Sequence, residues 1–178
     1  MKRLVVAMAV LAAGGIVRPL QAQQTVHLGI GGGTAIPVGK LDAAYSGGPS
    51  GLAYLAIGPS DAPLGLRLDY QYAGLSGKTV GGVATQDTHI SSVTANLVIP
   101  FRVGEVKPYL IGGGGWYPVR LPGETKREND RGYNAGAGIG FSLPYTNIGA
   151  FVEVRYHDVN RSDTSSYHFI PITIGLLF

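Results

Sequence analysis

The last ten residues of the chain alternate. One face carries Ile170, Ile172, Ile174, Leu176 and Phe178, and the other carries Phe169, Pro171, Thr173, Gly175 and Leu177. Successive side chains of an extended strand point to opposite faces, so a period of two marks a strand that offers one side to an apolar medium. The same period recurs upstream. Tyr133, Ala135, Ala137, Ile139 and Phe141 stand opposite Asn134, Gly136, Gly138, Gly140 and Ser142; Leu66, Leu68, Tyr70 and Tyr72 stand opposite Arg67, Asp69 and Gln71; Val152, Val154 and Tyr156 stand opposite Glu153, Arg155 and His157. One segment is ambiguous, because Leu52, Tyr54 and Ala56 compete with Ala53, Leu55 and Ile57 for the apolar face. No helical period is sustained after Gln23, and eight strands are expected over 25–37, 51–57, 65–72, 89–101, 107–117, 133–142, 148–158 and 167–178.

The connections carry a second pattern. Gly58 to Leu64, Arg102 to Val106 and Leu143 to Asn147 are short and rich in Pro, Gly, Asp or Asn, as tight turns require. Between them lie longer, more polar connections: Val38 to Ser50, Ala73 to Thr88, Pro118 to Gly132 and Val159 to Ser166. In an up-and-down barrel, strict alternation of short and long puts all short turns at one rim and all long loops at the other, the asymmetry of outer-membrane barrels.

The N-terminus reads differently. Met1-Lys2-Arg3 is basic, residues 4–17 form an apolar run, and a small residue, Ala22, follows. Residues 1–22 are therefore expected to be a cleaved secretory leader, with cleavage after Ala22 and a single domain over 23–178. The apolar run is shorter than the ~20 residues a spanning helix needs. Loss of the leader takes three of the 14 basic side chains and no acidic one, leaving 11 against 11, so no clustered cationic face speaks for a nucleic-acid partner. With no cysteine, disulfide and thiolate-metal frameworks are excluded. Glycine, 28 of 178 residues, is roughly twice its ordinary share and follows no collagen period.

Period-two alternation also suits a soluble, lipocalin-like ligand barrel, so alternation alone does not choose. Aromatic positions do. Tyr70, Tyr72, Trp116, Tyr117, Tyr133, Tyr156 and Tyr167 fall at strand ends beside long loops, and Phe101, Tyr109, Phe141, Tyr145, Phe151 and Phe178 beside short turns. Two aromatic girdles around a band of aliphatic and small residues are what two bilayer interfaces demand. About 10 residues per strand at ~3.4 Å each, tilted near 45°, cover roughly 24 Å of apolar thickness. The expected fold is an all-β, eight-stranded antiparallel up-and-down transmembrane β-barrel.

Residues 23–178 resemble the small outer-membrane β-barrel family typified by the OmpA membrane domain, OmpX and the opacity-type proteins. The residues that carry the resemblance are the closing segment Phe169-Ile170-Pro171-Ile172-Thr173-Ile174-Gly175-Leu176-Leu177-Phe178 and the strand before it, Ala150-Phe151-Val152-Glu153-Val154-Arg155-Tyr156. The resemblance implies a location in the outer membrane of a Gram-negative-type envelope. It also implies that Phe178 is the terminal signal read by the barrel-assembly machinery.

Arg67 and Asp69 share one face of the third strand, and Glu153 and Arg155 share one face of the seventh, across the barrel. Two positive and two negative groups in a narrow interior are expected to pair, because a lone desolvated charge costs several kcal/mol. Gln71, Thr94, Asn96 and Asn134 are expected around them, and the resemblance implies the same salt-bridged plug. No cofactor, metal or catalytic site is expected. His157 lacks a serine two residues on, where Val159 stands, so the His-x-Ser pair of lipid A deacylases is missing; His27, His89 and His168 have no i, i+2 histidine. The third long loop holds Arg120, Glu124, Lys126, Arg127, Glu128, Asp130 and Arg131, mixed charges that suit a solvated loop or a contact with lipopolysaccharide phosphates. The expected function is that of a non-enzymatic structural or surface-interaction (adhesion-like) barrel with a plugged interior, in contact with outer-membrane lipid and lipopolysaccharide and with an extracellular ligand the loops do not identify. The alternatives are a narrow solute pore, a soluble ligand-binding barrel and, last, a lipid A-modifying enzyme.

Overall fold

The computed structural model describes residues 24–59, 63–101, 103–104, 106–120, 128–160 and 166–178. The expected leader and its cleavage at Ala22 lie outside the described residues. Eight long strands dominate: β1 (Gln24–Val38), β2 (Gly48–Pro59), β3 (Gly65–Gly77), β4 (Thr88–Pro100), β5 (Val106–Arg120), β6 (Glu128–Ser142), β7 (Gly149–Asn160) and β8 (Ser166–Leu177).

Each strand pairs antiparallel with its chain neighbours, and β8 pairs with β1. The sheet is thereby closed. Closure matters because lipid offers no partner to an exposed N–H or C=O, so a spanning sheet has to bond internally all the way round. The seam is drawn tight at its end, where Leu28 N–H donates to Phe178 C=O at 3.0 Å and Phe178 N–H to Leu28 C=O at 2.7 Å.

The strands form where expected but run further, chiefly toward the long-loop rim. β3 continues to Gly77, and β5 and β6 stay paired up to Val119↔Glu128. Of the charged third loop, Arg120, Glu128, Asp130 and Arg131 therefore belong to strands, whereas Glu124, Lys126 and Arg127 lie outside the described residues. Backbone pairing continues past the apolar belt because a paired strand needs no lipid to persist. The first long connection holds a short helix, α1 (Lys40–Ala44). The second holds a small hairpin, Thr79–Val80 against Val83–Ala84, turned by Gly81 and Gly82 at φ 60° and 83°, a conformation open to glycine.

The outer wall is apolar. Val26, Leu28 and Ile30 of β1, Leu66 and Leu68 of β3, Leu97 and Ile99 of β4, and Ile172, Ile174 and Leu176 of β8 all face outward. A soluble ligand barrel would turn these side chains inward, so their direction settles the choice for the membrane form. On the ambiguous second strand, Leu52 and Tyr54 point inward and Ala53 and Ile57 outward.

Candidate functional site

The lumen is filled in three layers. The middle one is built from inward positions of β3 and β7. Arg67 grips Glu153 with two bonds, Nη1 to Oε2 at 2.7 Å and Nη2 to Oε1 at 2.9 Å, and also bonds Asp69 on its own strand through Nε to Oδ1 at 2.8 Å. Arg155 completes the ring, with Nε 2.6 Å from Glu153 Oε1 and Nη2 2.6 Å from Asp69 Oδ2. Each of the four is at most 5 % exposed. Two cations and two anions, each touching both opposite charges, leave no net charge in a water-poor space.

Neutral groups fill the remaining bonding capacity. Asn96 donates to Asp69 at 3.1 Å and to Thr94 Oγ1 at 3.0 Å, Asn134 donates to Asn96 at 2.8 Å, and the Tyr109 hydroxyl donates to Glu153 at 2.7 Å. Gln71 stands apart. It is buried, but neither atom of its amide has a hydrogen-bond partner among the described residues, so it lies in the lumen without joining the network.

Toward the short-turn rim the lumen is closed by Tyr54 and Phe151, packed edge to face at 5.5 Å, with the Arg67 guanidinium 3.9 Å above the Tyr54 ring. The space for Tyr54 comes from Gly29, its partner across β1 and β2, because any Cβ at Gly29 would collide with the ring. Gly138 does the same for Tyr109. Toward the long-loop rim, Leu41 of α1 and Tyr45 pack onto Leu75, Ile90, Val159 and Phe169 to form an apolar stopper. Beneath it, the ring of His157 stacks on Phe169 at 4.7 Å, and its Nδ1 lies 3.0 Å from the Tyr117 hydroxyl.

Four expected girdle residues are thus corrected. Tyr117 is buried in the lumen because Trp116 precedes it, and consecutive strand residues cannot both face lipid. Tyr109 shares its parity with Ile111, Gly113 and Tyr117 and faces inward too, as do Phe151 on β7 and Tyr167, which packs on the stopper. Inward glycines beside Tyr109 were the available signal, since small residues facing the lumen announce a bulky neighbour. Tyr70, Tyr72, Trp116, Tyr133 and Tyr156 at one rim, and Phe101, Phe141 and Phe178 at the other, stand exposed on the outer wall. Tyr145 projects from the tip of the last short turn at φ 62°.

The family described as "Outer membrane protein beta-barrel domain" matches residues 6–178. No curated protein matches the sequence. Among solved structures, the Neisserial surface protein A is similar with a TM-score of 0.64 at 16 % identity, over 85 % of this chain and 95 % of that one. The N-terminal β-barrel domain of Pseudomonas aeruginosa OprF gives 0.49 at 15 % identity, over 88 % and 100 %. Ail, the attachment invasion locus protein of Yersinia pestis, solved with the heparin analogue sucrose octasulfate, gives 0.48 at 18 % identity, over 87 % and 97 %. The first likeness supports the fold.

Proposed function

Since this chain belongs to the outer-membrane β-barrel family and is an integral protein of the Gram-negative outer membrane, we propose that it works there as a non-enzymatic surface protein, through its outward surfaces and not through its lumen. The observation that carries this reading is the filled interior. A neutral ring of four buried charges lies between an aromatic layer and an apolar stopper, and a solute would have to displace all three. What remains for function is the long-loop rim, which in such barrels faces the exterior, and the lipid-facing wall. The proposed partners are lipopolysaccharide and an extracellular ligand at that rim, with the barrel-assembly machinery reading Phe178 during insertion.

Planar-bilayer recording tests the reading. The refolded protein is expected to insert without conducting, and Arg155→Gln is expected to stay closed, because the stopper and the aromatic layer remain. Steady conductance by the unaltered protein, rising in Glu153→Gln or Arg155→Gln, would instead establish a narrow pore gated by the charge ring.

A further inference from the structure

Between the charge ring and the stopper lie three polar side chains that neither layer uses. On the inward face of β3, Gln71 follows Asp69 of the ring and precedes Ala73 and Leu75 of the stopper. On β4, Ser92 stands between Ile90 of the stopper and Thr94 of the network; on β7, His157 stands between Arg155 and Val159. Gln71 and Ser92 are direct neighbours across β3 and β4. All three are at most 2 % exposed. Four of their polar atoms, Gln71 Nε2 and Oε1, Ser92 Oγ and His157 Nε2, have no hydrogen-bond partner among the described residues and no surface open to water. Buried polar atoms are nearly always bonded, and each one left alone costs free energy that contact with water restores.

What shuts the mouth above them is weakly tied to the wall. α1 has five residues and starts from Gly39, which sits at φ 66° and makes no side-chain cap bond. Leu41 and Tyr45 are the side chains this segment seats in the stopper. Its other ties lead to the second long connection. Lys78 N–H donates to Ala44 C=O at 2.9 Å, Lys78 Nζ lies 3.0 Å from Asp42 Oδ1, and Tyr45 and Ser46 pair with Gly77 and Ser76. Those partners lie past Leu75↔Thr88, where the pairing of β3 with β4 ends, so they hang from the rim as the helix does. Seating the helix therefore buries a leucine and a tyrosine ring and at the same time keeps four polar atoms from water. The two effects oppose each other and are of the same order.

We propose that α1 is a lid: it lifts from the barrel mouth, and water and small neutral solutes enter the lumen as far as the charge ring, where Gln71, Ser92 and His157 bind them. Gly39 is the hinge, because its backbone conformation is one that glycine adopts freely. The ring is the floor. Its charges are already matched by their opposites and gain nothing from opening. The entrant is neutral because an amide, a hydroxyl and an imidazole nitrogen offer it hydrogen bonds but no charge to offset an ion. The chamber is blind, so an opening lid leaves the barrel non-conducting; the proposal goes beyond the surface role and does not rest on it.

The chain has no cysteine, so a single introduced one reports access. Ser92→Cys and Thr173→Cys, each folded in nanodiscs, are treated with methyl methanethiosulfonate, a small neutral thiol reagent, and the added mass is followed with time. Thr173 is buried and pairs with Glu153 across β7 and β8. Ser92→Cys is expected to be labelled, and Thr173→Cys to stay unlabelled until the barrel is unfolded. Added to Ser92→Cys, Leu41→Ser is expected to speed labelling by about tenfold because it loosens the lid, and Gln71→Met to slow it by about tenfold because two of the orphan atoms are gone. An inert Ser92→Cys, equal labelling of the two cysteines, or a rate that either second substitution leaves unchanged would overturn the proposal. Gel migration before and after boiling shows that each variant is folded. The unaltered protein gives a reading that no substitution can spoil: by NMR, the Gln71 side-chain amide is expected to exchange its protons with water faster than the backbone N–H of Asp69. Equal protection of the two would overturn the lid as well.

Discussion

Glu153 is held by three other side chains of the lumen. It accepts from Arg67, Arg155 and Tyr109, which reach it from three strands. Removing its charge leaves two guanidinium groups buried with one carboxylate between them. Glu153→Gln is therefore expected to destabilise the barrel by about 3–5 kcal/mol, measured by urea unfolding in lipid vesicles. Replacing Arg67 and Glu153 together by leucine is expected to cost less than Glu153→Gln, because no charge is then left without its opposite; an equal or greater loss would mean that the geometry of the pair, and not desolvation, dominates. Gly138→Ala gives a second check. Its Cβ would enter the Tyr109 ring, so the tyrosine must leave Glu153 or the strands must part, at a cost of about 1–3 kcal/mol for overpacking. At this scale the four charges and their pairing were legible from parity alone, since Arg67, Asp69, Glu153 and Arg155 share the face opposite the aliphatic residues. Tyr109 and Tyr117 were not. Both stand at strand ends where an aromatic girdle is also expected, and only their parity relative to Trp116 and the inward glycines separates a lumen tyrosine from a lipid-facing one.

Among the elements, α1 is the one that cannot stand alone. Five residues are too few to hold a helix in water, and its N-cap, Gly39, makes no side-chain cap bond. It is held by Leu41 inserted in the barrel mouth and by Lys78, whose Nζ lies 3.0 Å from Asp42 Oδ1 and joins it to the second long connection. That surface ion pair is a weak tether, so the apolar side chain is the main anchor. Leu41→Ser is expected to raise hydrogen exchange across 40–45 while the amides of β1 and β8 stay protected; unchanged exchange there would show that the helix is held by something other than Leu41. The alternation of short and long connections announced these loops, but a period-two reading stopped each strand where its aliphatic pattern stopped. Pairing goes on past the belt, which is why Arg131 and Asn160 lie in strands.

For the whole molecule, the direction of the wall is the decisive property. Ile172 faces outward on β8 near mid-belt, and Thr173 faces inward. Ile172→Arg is expected to destabilise the barrel in a bilayer by about 2–4 kcal/mol, the cost of a cation at the lipid midplane. The same wall facing water would take the arginine at nearly no cost, so unchanged stability in vesicles would mean that Ile172 does not face lipid.

Alternation, turn chemistry and spacing determined by themselves that the chain makes eight antiparallel strands with one greasy face, and that four charges meet on the other. Those properties follow from the two-residue repeat of a strand, which is local and needs no knowledge of neighbours. Only the closed structure decided which tyrosines enter the lumen, that Gln71 stays outside the charge network, and that α1 stops the mouth. These depend on cross-strand register, which places residues far apart in sequence side by side and is set by the closure of the whole barrel.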